Sequence, residues 1–117
     1  MSKKLEALRA SGTIQSYSAD EAVGIVVNQL MFVQRISRRS LGDVLGITGP
    51  AAGMKLRGDI GWSLDDLSRV SRYFGLSVAD LVPEYVGGPA PEPGYVPAPV
   101  TPEMVGRAGL EPATQGL

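Results

Sequence analysis

The 117-residue sequence predicts an all-α fold, a compact five-helix domain with a helix-turn-helix inside it. Three observations lead there. Apolar residues recur at helical spacing between Ala22 and Phe74. Ser or Thr precedes the segments and Gly follows three of them, as expected of helix starts and stops. Five such units fit into roughly 65 residues, which leaves no room for a sheet layer.

Residues 1–19 read as an N-terminal arm or short helix. Lys3 to Ala10 spans two turns, with Leu5 and Leu8 on one side and Lys3, Lys4 and Arg9 facing out, before Ser11-Gly12-Thr13 stops it. Ser18 or Asp20 then caps a helix running to Gln34 or Ile36. Ala22, Val26, Gln29, Leu30 and Val33 share one face, widened by Val23, Val27 and Met31, so this helix is expected to be largely buried. Its β-branched residues lower its intrinsic propensity, so packing must hold it.

Ser37 caps a helix from Arg38 to Leu45 that turns Leu41, Val44 and Leu45 inward and stops at Gly46. Ile47 plugs the core across the turn. Thr48 caps a second short helix that reaches Arg57 and stops at Gly58. Helix, tight glycine turn, helix is the helix-turn-helix unit. Ser63-Leu64-Asp65-Asp66 is a capping box opening a helix with Leu67, Val70, Ser71 and Phe74 inward and Gly75 at its end. Ser77-Val78-Ala79-Asp80 opens a last short helix through Leu81 and Val82, closed by Pro83. The domain is thus bounded at 20–83. Its expected core contains Leu30, Leu41, Leu45, Ile47, Ala52, Leu56, Trp62, Leu67, Phe74 and Leu81.

Residues 84–117 form a different kind of sequence. Eight of the nine prolines lie after residue 82 and no helical period survives, which predicts a disordered, acidic, Pro-rich tail. Charge divides at the same place. The whole chain has 11 basic and 12 acidic residues, net -1, but residues 1–82 hold 10 against 8 and residues 83–117 hold one against four. Near-neutrality of the total therefore excludes nothing, because the folding segment is the mildly basic one.

Cysteine and histidine are both absent. That removes disulfides, Cys/His zinc sites, thiol nucleophiles and imidazole bases. A carboxylate cleft needs a rigid core that so short a chain hardly builds. Asp65 and Asp66 are consecutive and so do not face one another on a helix; capping explains them. The sequence accordingly predicts no enzyme, no metal and no cofactor. It has no run of eighteen apolar residues and no apolar secretion signal at its start, which predicts a cytoplasmic protein.

From Val26 to Pro83 the sequence resembles the Cro/C1-type helix-turn-helix repressors, including immunity repressors of actinobacterial temperate phages. Ser37 matches that family's cap, Leu41 and Leu45 its core leucines, and Gly46-Ile47-Thr48 its turn. Arg57-Gly58 matches the close of its recognition helix, Ser63-Leu64 with Leu67 the opening of the next, and Phe74-Gly75-Leu76-Ser77 with Leu81 its ending. Two features depart from the pattern. Gly42 stands where a small Ala is usual, at the crossing of the two motif helices. Gly49, Pro50, Ala51, Ala52 and Gly53 stand where polar base-reading residues are common.

The resemblance implies a lambda-repressor-like DNA-binding domain and a transcriptional repressor acting on double-stranded operator DNA. On that reading Gly49, Ala51, Met54, Lys55 and Arg57 face the major groove, with Ala51 and Met54 suited to thymine methyls. Arg35, Ser37, Arg38, Arg39 and Thr48 are the phosphate candidates, and Lys3, Lys4 and Arg9 a basic arm. Arg57 could instead neutralise Asp59. Trp62 is expected to cover the core rather than stack on a base. Arg69 and Arg72 read as surface residues or as partners of Asp65, Asp66 and Asp43. A domain this small implies two weakly associated copies on a pseudo-palindrome, or a monomer. The alternatives are an antitoxin-type regulator and an interaction module that has kept the fold. Ala108 to Thr114 back-translates to DNA resembling the complement of a tRNA T-arm, which would fit a phage attachment site running through the gene; residues after Met104 are then expected to be dispensable for folding.

Overall fold

Four successive helices end in the same backbone turn in the computed structural model, which describes residues 16–87 and 94–107. They are α1 (Ala19–Gln34), α2 (Arg38–Leu45), α3 (Gly49–Arg57) and α4 (Leu64–Phe74). The residue closing each one is left-handed: Arg35, Gly46, Gly58 and Gly75, with φ of 57°, 75°, 84° and 72°. The next residue then donates its N–H five residues back, Ile36 to Met31, Ile47 to Gly42, Asp59 to Met54 and Leu76 to Ser71, at 2.7–2.9 Å. This satisfies carbonyls that a helix end leaves open. In three cases the donor is apolar and packs on the core (Ile36, Ile47, Leu76), so each stop also folds the chain back. Arg35 does this without being glycine.

The starts are equally regular. Ser18, Ser37, Thr48 and Ser63 accept hydrogen bonds from the backbone N–H of Glu21, Ser40, Ala51 and Asp66. Ser18, not Asp20, is the α1 cap. The Asp20 carboxylate instead accepts from the Trp62 N–H at 2.9 Å and ties the start of α1 to the α3–α4 loop.

α1 is the central element, with Ala22, Val23, Val26, Val27, Leu30 and Met31 buried. Gln29 and Val33, expected inward, are exposed; the buried stripe runs along Val23, Val27 and Met31 instead. Leu41, Leu45, Ala52, Val70, Phe74, Leu76 and Leu81 complete the interior, and Ile47, Leu56, Trp62 and Leu67 are half-buried against it. Two close backbone approaches are set by missing side chains. A Cβ on Gly24 would collide with the Leu56 carbonyl, so α3 lies directly on α1. A Cβ on Gly42 would stand 2.5 Å from the Ile47 carbonyl oxygen, which fixes α2 against the turn.

The fifth unit of the domain is a 3-10 turn, Val78–Asp80, rather than an α-helix. The larger correction concerns the chain after Pro83. Glu84–Tyr85 (β1) and Tyr95–Val96 (β2) pair antiparallel, and Tyr17 exchanges two backbone hydrogen bonds with Tyr95 at 2.8 and 2.9 Å. Val86 and Met104 are buried, Ala98 and Val100 pack on the core, and a further α-helix, α5, spans Pro102–Arg107. The described part of the expected tail is therefore built into the fold. An extended Pro-rich segment can bury isolated side chains without any helical or alternating period. Lys3, Lys4, Arg9 and the 108–114 segment lie outside the described residues. No helix among the described residues is long and apolar enough to cross a membrane.

Candidate nucleic-acid interface

α3 is the outer helix of the helix-turn-helix, and its two faces differ in chemistry. Ala52 and Leu56 turn inward, and the Leu56 backbone presses on Gly24 of α1. On the outer side Gly49, Pro50, Gly53, Met54 and Arg57 join Arg38 of α2 around a cleft of about 520 Å³. Positions 49, 53 and 57 are spaced by four, one above another on the helix. None of the lining residues is acidic. Of the expected groove residues, Gly49, Met54 and Arg57 are thus brought together, while Ala51 is half-buried beside the cleft and not part of its lining.

Gly53 has a consequence beyond helix propensity. A Cβ placed there would lie 3.5 Å from Arg38 Cδ and 3.6 Å from Arg57 Nη1. The two arginines converge over a position without a side chain, one from each motif helix. The sequence placed Arg38 at a phosphate and Gly53 where a polar base-reading residue is common; the fold makes both parts of one cleft.

Lys55 is a correction. Expected at a base edge or phosphate, it is buried, with Nζ donating to Asp66 Oδ2 at 2.8 Å and to the Gly61 carbonyl at 2.7 Å. The ammonium also lies 5.8 Å from the centre of the Trp62 ring, whose Nε1–H donates back to the Lys55 carbonyl at 3.0 Å. The spacing held the signal: Ala52, Lys55 and Leu56 stand at i, i+3 and i+4, the inward face. Trp62 is half-buried against the core, with its indole held to α3 through the Lys55 carbonyl. Burial raises the Asp66 carboxyl, but hydrogen bonds from Lys55 and the Ser63 backbone, the Lys55 charge and the Ser63 hydroxyl outweigh it and hold the group below its ordinary value.

The remaining candidates sit around the α2 and α3 starts. Arg35, Ser37, Arg38, Arg39 and Thr48 are all exposed. Gly49 lies close under Arg39, its Cβ direction 3.5 Å from the Arg39 Cα, so the N-termini of α2 and α3 are adjacent. Ser37 and Thr48 hydroxyls act as caps, and Ser37 Oγ also donates to Ser40 Oγ at 3.1 Å. Arg57 Nε donates to Asp59 Oδ2 at 3.1 Å, with both side chains more than half exposed. Arg69 donates to the Leu45 carbonyl, closing the end of α2, and Arg72 to Ser68 Oγ; neither of these bonds goes to an aspartate.

Against protein-family profiles the chain matches the BetR domain over residues 18–109. The match runs past Pro83, through the strands and α5. No curated protein and no solved structure matches the chain.

Proposed function

We propose that this chain, which belongs to the BetR domain family, is a sequence-specific transcriptional repressor that seats α3 in the major groove of operator DNA. The observation that carries the reading is the cleft on the outer face of α3. It is walled by Arg38 and Arg57, floored by Gly49, Pro50 and Gly53, and free of carboxylates in its lining. Low side chains let the helix backbone approach the bases closely, and Met54, the exposed apolar residue of the face, suits a thymine methyl. Arg39 and Arg35, exposed beside the adjacent helix starts, are suited to the flanking phosphates.

Kinship with Cro/C1-type immunity repressors of temperate phages, and action in the host bacterial cytoplasm, belong to the same proposal. They are supported by the run of matched residues from Ser37 to Leu81. Weak association of two copies on DNA is supported by the apolar Phe32 and Val33, which α1 leaves exposed.

Operator selection from genomic fragments, followed by salt titration, tests the repressor reading. Six to ten phosphate contacts would lower affinity by about 10³–10⁵ between about 50 and 200 mM salt. The Arg38→Ala/Arg39→Ala variant is expected to weaken binding and flatten the salt slope by up to about two. Absence of DNA binding at about 50 mM salt would overturn the proposal and favour an interaction module.

A further inference from the structure

We infer that Arg57 is a guanine-reading residue and that Asp59 is its positioning residue. The inference rests on the repressor reading and adds to it the base that is read. Arg57 closes α3, on the same face as Gly49 and Gly53. Its Nε is engaged by Asp59 Oδ2 at 3.1 Å. Its Nη1 reaches back over the helix, 3.6 Å from where a Gly53 side chain would begin.

A guanidinium has two edges that donate hydrogen bonds in pairs. With the Nε side engaged by a carboxylate, the Nη1/Nη2 end remains to offer two parallel N–H donors. That end fits two adjacent acceptors, and guanine O6 and N7 are such a pair in the major groove. Adenine places its N6 donor where O6 would be, and pyrimidines offer no such pair. The absent Gly53 side chain keeps the floor of the cleft beneath Arg57 and Arg38 low, so that a base edge can approach the guanidinium end from outside. A carboxylate near DNA costs affinity for phosphates, so an Asp59 that only neutralised Arg57 would weaken binding to every sequence alike. Held across the guanidinium, it turns a mobile cation into an oriented fork.

The test uses the full chain and the operator obtained by selection, with each base pair of the half-site replaced in turn. Wild-type protein is expected to prefer G·C at one position. Arg57→Ala should lose roughly 5- to 150-fold of that preference, and only at that position. Arg57→Lys keeps the charge and loses the fork, so it should lose the preference while keeping the salt slope. Asp59→Ala should lower the preference at the same pair while binding to unrelated DNA stays level or rises. Both side chains are exposed, and unchanged circular dichroism and melting would show that the variants fold. If Arg57→Ala instead weakens all sequences equally and reduces the salt slope by about one, Arg57 holds a phosphate and the inference fails while the repressor reading stands. If Asp59→Ala leaves the preference intact, its positioning role is overturned. Wild-type protein that selects no DNA sequence overturns the repressor reading and this inference together.

Discussion

The Lys55 ammonium lies 2.8 Å from Asp66 Oδ2, and through that buried contact α3 is fastened to the first turn of α4. The same carboxylate oxygen accepts from the Ser63 N–H at 2.9 Å, so one oxygen joins an interhelical ion pair to a helix cap.

Removing one partner leaves the other charged and buried. Asp66→Ala and Lys55→Ala are each expected to cost roughly 3–5 kcal/mol, read from urea unfolding. Lys55→Met refills the space against Trp62 and should cost less than Lys55→Ala. In DNA titrations of the folded fraction, Lys55→Met should leave the salt slope unchanged, because the ammonium does not face solvent. A slope reduced by about one would show that Lys55 leaves Asp66 for a phosphate.

The pair also sets an acid dependence. The folded-state value of Asp66 lies below its ordinary 3.8. A depressed carboxylate contributes stability that is present above the unfolded value and lost as pH falls through the folded one. Melting temperature should therefore drop from about pH 4 downward, beyond what the exposed carboxylates contribute. Asp66→Asn should be less stable at neutral pH, and its melting curve flatter in that acid window. Parallel wild-type and Asp66→Asn profiles would contradict this.

The helix-turn-helix was legible because its starts and stops are chemical: Ser37, Gly46, Thr48 and Gly58 occupy positions where few residues serve. The inward residues of short helices were legible from spacing for the same reason. Lys55 was misplaced because residue type was weighed above its i, i+3 relation to Ala52. The strands at Glu84–Tyr85 and Tyr95–Val96 were not legible, since two-residue strands have no period to detect. Gly24 was also silent. Its contact is with the backbone of residue 56, and nothing local in the sequence records a distant carbonyl.

Glycine positions give predictions of opposite sign for one substitution. Alanine is the better helix former by about 1 kcal/mol. At Gly53 the new methyl would meet only ordinary contacts at 3.5–3.7 Å, so Gly53→Ala should raise the melting temperature. At Gly24 it would strike the Leu56 carbonyl, and at Gly42 the Ile47 carbonyl oxygen at 2.5 Å, both backbone atoms within packed helices or turns. Gly24→Ala and Gly42→Ala should each destabilise by about 1–3 kcal/mol. A stabilised Gly24→Ala variant would mean that α3 does not sit on α1 as described.

The last prediction separates a built-in C-terminal segment from an appended one. Met104 is only 4% exposed and belongs to the same apolar cluster as Leu30 and Phe74. Met104→Ala should then cost about 2–5 kcal/mol, the range for emptying a packed site. Truncation after Pro83 removes Val86, Ala98, Val100 and Met104 together, and with them the Tyr95 backbone that pairs with Tyr17. It should lower stability at least as far as Met104→Ala. Truncation after Arg107 keeps every one of these contacts and should cost less than the cut after Pro83. If the chain cut after Pro83 melts like the full-length protein, the strands and α5 contribute nothing to the fold. Equal losses from Met104→Ala and the Pro83 truncation would instead place nearly all of the segment's contribution at that one side chain.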